Sequence, residues 1–455
     1  MHKKNNNTGT NPFMTRTPSP CLALLVCSLM ASPSSWAGYQ FIVENLKVEA
    51  TLAAGGAAIS THGDNFGSGH VDLRNGENHG NRSDWQEFFL KPGMTLTYGL
   101  APEVEVLGGV SVIGATTFGD GDAGGYSRSS DGRTVMEEAY AGLRVGDWRL
   151  TAGRQNFMVG TGFIVGDGNL DMFDDGAFWL APRTAFSDSM LISYAHDALL
   201  GQAFSLRSDD HAGDYRLNGA NLDYRLADRV TLGAMAMGVD ALASRSANLT
   251  PRDGMRVYNL RALNGQLPGL DALALHGEYA VQRGSGEGVR YHATAWYAQA
   301  DYSFAELPLT PILSYRHARF SGDDDPSDNT REDWDPLNKG FIDWSTWLLG
   351  DVVGNYLLFN SNERVDQWML KTHLSDTVTL GGIYYRFSLD QKNFNGMPVD
   401  DRRFADENVV FLDWNPTPRL HTSLAYNWAT PKGAAKQVLG NDSFQALEMY
   451  FTYAY

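Results

Sequence analysis

Six charged side chains carry the spacing best suited to chemistry: Glu138, Arg144, Arg154, Arg225, Arg316 and Arg386. From Glu138 to Arg144 the acid, the phenol of Tyr140 and the guanidinium fall on one side of a two-residue period. Ala139, Ala141, Leu143 and Val145 fall on the other. The same alternation sets Arg225 beside Asn221 and Asp223, and Arg386 beside Ser388 and Asp390. Arg316 lies in Ser314-Tyr315-Arg316, a strand-like run leading to an acidic loop. Guanidinium groups grip carboxylates in bidentate fashion. Repeated along a narrow passage they would attract and guide anions through many weak contacts. The structural alternative is a ladder in which each Arg pairs with an acid such as Glu138, Asp223 or Asp301. Arg154 shares parity with the apolar Trp148, Leu150 and Ala152, which requires either an intervening bulge or a position beyond any apolar zone.

Other chemistries find less support. The run from Asp323 to Asp335 offers Asp323, Asp325 and Asp328 as candidate calcium ligands, but it lacks the ordered spacing of an EF-hand and reads better as a solvated loop, so no metal is expected. Gly119, Gly121 and Gly124 match a dinucleotide fingerprint by letter only, with no helix following. No local Ser, His and Asp arrangement resembles a hydrolase nucleophile site, so no enzymatic activity and no cofactor are expected.

The elements that would position these residues are strands. Leu447, Met449, Phe451, Tyr453 and Tyr455 alternate with Glu448, Tyr450, Thr452 and Ala454 up to the last residue. A bare aromatic edge strand is hazardous in a soluble protein but sensible where it closes a barrel against lipid. It also resembles the terminal strand of bacterial outer-membrane barrels, which implies the barrel-assembly machinery and outer-membrane lipid as partners. Alternation recurs in Asn221–Leu226, Trp296–Phe304, Ile383–Asp390 and Leu420–Trp428. In each, the apolar row is expected to face lipid and the polar row a lumen. Trp148, Trp414, Trp428 and Tyr455 read as an interfacial aromatic belt. Short turns such as Leu226-Ala227-Asp228-Arg229 and Leu374-Ser375-Asp376-Thr377 contrast with long polar segments near 60–84, 119–133, 207–215, 244–254, 319–340, 390–406 and 430–442. This asymmetry predicts an all-β fold: a transmembrane antiparallel β-barrel with short periplasmic turns and long extracellular loops. About nineteen strand-like runs are visible, and a bacterial barrel needs an even number. Phe341–Phe359 does not alternate cleanly and is expected to fold over or into the pore, leaving eighteen strands, with sixteen the alternative.

The start of the chain agrees with this compartment. Lys3, Lys4 and Arg16 precede an apolar stretch from Cys21 to Met30, and Ser35 and Ala37 fit a small-x-small cleavage site. Residues 1–37 therefore read as a secretory signal peptide and 38–455 as the barrel. Both cysteines lie in the removed segment. Its removal takes three cations and no acid from a formal charge of −17, leaving about −20, which argues against a nucleic-acid partner.

Three segments carry a more specific likeness. They are Glu137–Arg144 with Leu150–Gln155, then Gly162–Gly168, then Ser314–Arg316 followed by Phe320–Pro326 and Asp335-Pro336-Leu337. Together they resemble the bacterial alginate-export family of outer-membrane porins. The resemblance implies an eighteen-stranded barrel whose arginine-lined lumen passes an anionic, uronate-type polysaccharide or a related anionic solute. Uptake of small solutes through a general or substrate-specific porin is the competing expectation.

Overall fold

The computed structural model describes residues 39–208, 213–242, 251–340 and 351–455. The expected signal peptide and residues 341–350 of the expected pore loop lie outside the described residues. Among the described residues, eighteen long strands form one antiparallel sheet that closes on itself. In chain order they are β1 (Leu46–His62), β2 (Asp84–Ala101), β3 (Val104–Gly119), β4 (Gly132–Val145), β5 (Trp148–Gln155), β6 (Phe186–His196), β7 (Leu199–Arg207), β8 (Tyr215–Leu226) and β9 (Val230–Ala241). The second half comprises β10 (Met255–Gln266), β11 (Leu273–Gly286), β12 (Val289–Ser303), β13 (Ile312–Phe320), β14 (Glu363–Ser375), β15 (Val378–Leu389), β16 (Arg403–Thr417), β17 (Leu420–Pro431) and β18 (Phe444–Ala454). Each strand pairs with its neighbour in sequence, and β1 pairs with β18 from Ala53↔Ala454 to His62↔Gln445. Tyr455 and Leu52 then exchange main-chain hydrogen bonds of 2.8 and 2.9 Å. Closure satisfies both edges, so the aromatic terminal strand leaves no open ladder.

The connections follow from turn chemistry. Between β8 and β9, Ala227 and Asp228 both take positive φ, 49° and 54°, the backbone of a type I′ hairpin turn. Similarly tight turns join β4 to β5, β14 to β15 and β16 to β17 at the same end. The opposite end carries the long connections, with one tight exception at Glu287-Gly288. No helix among the described residues is long and apolar enough to cross a membrane.

The outer wall is apolar along most strands. Leu222, Tyr224 and Leu226 of β8 and Leu447, Met449 and Phe451 of β18 are exposed outward, whereas Asn221 and Glu448 are buried inside. In β15 the expected sign is reversed. Ile383, Tyr385, Phe387 and Leu389 face the interior, and Arg386 faces out. The cause is what fills the barrel at that height. Val353 and Leu358, from the segment after β13, pack there with Phe394 and Phe404, so the apolar row of β15 finds an apolar partner within. Parity alone does not carry that information.

The parity of Arg154 is resolved by a shift in register between Gly153 and Gln155, where Gly153 adopts φ 124°. A Cβ at Gly153 would stand 2.3 Å from the carbonyl oxygen of Ala139. Gly153→Val should therefore destabilise the barrel by about 2–3 kcal/mol. A fall in the urea concentration needed to unfold the detergent-solubilised protein would show it, and an unmoved midpoint would refute the strained turn.

Candidate functional site in the lumen

The lumen is narrowed by residues 156–185, the connection between β5 and β6. This segment carries Val159, Phe163, Ile164 and Val165, which would be costly to leave in water. They pack instead on Phe204, Leu217, Met237, Tyr297 and Phe320 of the inner wall. Thr161 Oγ1 donates to Glu278 of β11 at 2.6 Å. At the other end of the segment, the amides of Trp179 and Leu180 donate to the Glu87 carboxylate of β2 at 3.2 and 2.8 Å. The Trp179 ring meets Tyr450 of β18 edge-on at 5.7 Å. Strands β2 and β11 stand half the circumference apart, so the loop crosses the lumen. Sequence reasoning assigned the constriction to Phe341–Phe359 instead. Val353 and Leu358 of that stretch do reach the interior. The crossing loop was missed because Phe163-Ile164-Val165 reads as a short strand.

A bulge in β4 anchors the loop. The pairing with β3 shifts between Ser111 and Val112, leaving Glu137 without a register partner. Glu137 is fully buried and accepts the amides of Thr184 and Ala185, both at 2.9 Å, while the Arg183 guanidinium lies at 3.5 Å. Arg154 donates to the main-chain carbonyl of Glu137 at 3.0 Å and approaches its carboxylate at 3.9 Å. Glu138 accepts Ser111 Oγ and Asn156 Nδ2, each at 3.0 Å. Arg183 also pairs with Asp175 inside the loop. Across the lumen the buried Arg261, not singled out from sequence, binds Asp223 at 2.6 Å and supports the loop at Gly160. These charges hold the loop in place, as in the ladder alternative.

The other nominated residues are distributed unevenly. Arg316 faces the interior, donating to Gln299 at 2.7 Å with its guanidinium over the Tyr297 ring. Arg225 lies at the short-turn rim, paired with Asp228 at 3.0 Å. Arg386 does not line the lumen at all; its guanidinium lies over the outward Trp368 ring. Arg144 faces the interior near the short-turn end, is 48% exposed and pairs with Glu105 at 2.7 Å. Its register partner on β5 is Arg149, on the same inner face. Arg149 was missed, although its parity with Thr151 on β5 opposes the outward Trp148 and Leu150. Its side chain reaches the Tyr140 hydroxyl, and among the described residues it makes no ion pair.

The acidic run does not gather Asp323, Asp325 and Asp328. Asp323 comes together with Asp324 and Glu332 instead. Asp325 and Asp328 accept the amides of Ser327 and Thr330, capping turns of their own loop. Asp335 is buried and doubly gripped by Arg252 at 2.7 and 2.8 Å. Burial opposes its charge, but Arg252 and Arg331 hold its carboxyl well below the usual range.

Within the crossing loop, burial pushes the carboxyls of Asp167 and Asp171 well above their ordinary value. A group raised in the folded state stabilises docking fully below its unfolded value, near 3.8, and loses that contribution as pH rises through the folded value. The docked loop should thus be most resistant to protease in acid and loosen toward alkaline pH. Asp171→Asn should flatten that profile; an unchanged profile would show that Asp171 does not control it.

Comparison with known proteins now bears on this geometry. The family model for alginate export matches residues 120–395, more than half of the chain. The chain belongs to the alginate export family. Members of the solved Occ/Opd group of Pseudomonas aeruginosa share its fold. OccK5 (OpdH) is 13% identical with a TM-score of 0.58, covering 90% of this chain and 97% of that one. OccD3 (OpdP) is 14% identical with a TM-score of 0.58, covering 92% and 94%. OccK1 (OpdK) is 16% identical with a TM-score of 0.56, covering 90% and 98%. No curated protein matches. This alginate export family member is an outer-membrane porin, and its outward apolar rows face lipid.

Proposed function

We propose that this porin passes carboxylate-bearing anions of the uronate class along the β4–β5 wall, beside the crossing loop. The observation that carries the reading is the inner-face pair Arg144↔Arg149. Like charges directly opposite on adjacent strands repel. A carboxylate passing between them would relieve that repulsion and accept bidentate hydrogen bonds. Among the described residues only Glu105 is paired with either arginine, so the site stays cationic without being saturated. Binding of that kind is weak enough for release, as conduction requires. Transport without bond chemistry is part of this proposal.

Uptake of a small anionic solute is the second reading, favoured by one observation. The loop 156–185 crosses the lumen and leaves less room for a polymer. One similarly folded porin, OpdK, has been crystallised with vanillate, a small carboxylate. Proteoliposomes loaded with labelled uronate monomer, uronate oligomer and a neutral oligomer of equal length distinguish these. Release of the charged oligomer ahead of the neutral one supports polymer passage. Release of the monomer alone supports small-solute uptake, and equal release of both oligomers defeats anion recognition.

A further inference from the structure

The reversed alternation of β15 has a counterpart on the outer wall. At the long-loop end of β13–β17, pairing aligns Arg319↔Arg364, Arg364↔Ser388 and Ser388↔Arg403 in one row. The next row toward the short-turn end aligns His317↔Asp366, Asp366↔Arg386 and Arg386↔Asp406. Directly paired residues share a face, and Arg386 fixes that face as outward. The acids are oversubscribed. Asp390 takes both Arg319 and Arg364, each at 2.7 Å, and Asp406 takes Arg403 at 2.7 Å and Lys432 at 2.9 Å. Asp366 is engaged by the Tyr315 hydroxyl and His317, both at 2.8 Å. Counting Asp401, which accepts the Arg403 main-chain amide at 3.1 Å, five permanent cations stand against four acids among the described residues of the patch, on a chain whose formal charge is −17. Arg364 and Arg403 remain 47% and 42% exposed at their side chains.

Beneath these rows the wall changes character in two steps. First come Tyr315, Trp368 and Tyr384, then Asn408 and Trp428 in the same row; the next row holds Leu313, Leu370, Gly382, Val410 and Tyr426. Charged, aromatic and apolar rows in that order match headgroup, interface and hydrocarbon. The long-loop end lies on the outer leaflet side. An excess of guanidinium at headgroup height favours phosphate, which offers the geometry they bind in pairs. We infer that this patch holds a phosphorylated lipid of the outer leaflet, its phosphate seated among Arg364, Arg386 and Arg403 and its chains along the aromatic and apolar rows. The site lies on the opposite side of the wall from the permeation path and does not depend on what passes through it.

Native mass spectrometry of the full-length porin tests this, with a bis-phosphorylated glucosamine lipid as probe. Its dephosphorylated form and phosphatidylethanolamine serve as controls. The phosphorylated lipid should bind at least tenfold more tightly than either control. Replacing the three arginines (R364Q, R386Q and R403Q together) should remove that preference, and the three Lys replacements should keep most of it. Heat-dependent migration on a gel verifies that each variant is a folded barrel. If the Gln variant misfolds, the Lys variant and the lipid comparison on the parent still decide. Equal binding of the dephosphorylated lipid, or an undiminished preference in a folded Gln variant, would overturn the inference. Equal protection against heat by inorganic phosphate would also overturn it, by assigning the patch to a free anion.

Discussion

Replacing Arg144 and Arg149 together by Glu should turn the pore from anion- to cation-selective. The two side chains are register partners on the inner face near the short-turn mouth, and the only carboxylate paired with either among the described residues is Glu105. In a water-filled vestibule a unit charge acts on a passing ion with about 1 kcal/mol at contact distance. Each reversal, from repelling cations to attracting them, shifts a cation and an anion in opposite senses by twice that energy. The chloride-to-potassium permeability ratio then changes by up to roughly a thousandfold at contact and by about tenfold where the ion passes about 10 Å away. The double variant should move by more than either single one. Arg149→Gln alone should weaken anion preference without inverting it. Reversal potentials under a salt gradient measure both effects. A ratio unmoved by the double reversal would place the ion path elsewhere in the lumen.

The second large effect concerns the loop. Glu137 offers one oxygen to two main-chain amides and turns the other toward Arg183, with no exposure to water. Glu137→Gln keeps one acceptor but turns an amide nitrogen toward the guanidinium or the amides. Loss of such a buried, charge-assisted set costs about 3 kcal/mol. The loop would then lose its anchor on β4 while the strands keep their pairing. Open-channel conductance should rise and its fluctuations grow, with the folded band on a gel unchanged. A folded variant with parental conductance would show that Glu87 and Glu278 suffice to hold the loop.

The parts of this protein written in periodicity were readable from its sequence. Leu222, Tyr224 and Leu226, like Leu447, Met449 and Phe451, face outward where their period places them. Turns such as Ala227-Asp228 declare themselves because a short break containing a turn-forming Asp interrupts two alternating runs. What fills the barrel was not readable. Ile383, Tyr385, Phe387 and Leu389 turn inward because segments remote in sequence arrive at that height, and strand spacing records nothing of such arrivals. Arg386 was misplaced for the same reason. Bulges hid two more residues: Glu137 shares the inner face with Glu138, and Arg154 approaches Glu137 despite its parity. The run Gly162–Gly168 was noticed as a motif but not as a loop, since its apolar residues bury equally well in a strand or against one.

Recordings of single channels in a planar bilayer, with uronate oligomers of defined length added to one side, bear most directly on anion passage. Reversible, voltage-dependent interruptions of current are predicted, lengthening with oligomer length and largely lost in the Arg144 and Arg149 double reversal. Interruptions as frequent with a neutral oligomer of the same length, or none with uronate at all, would contradict the account.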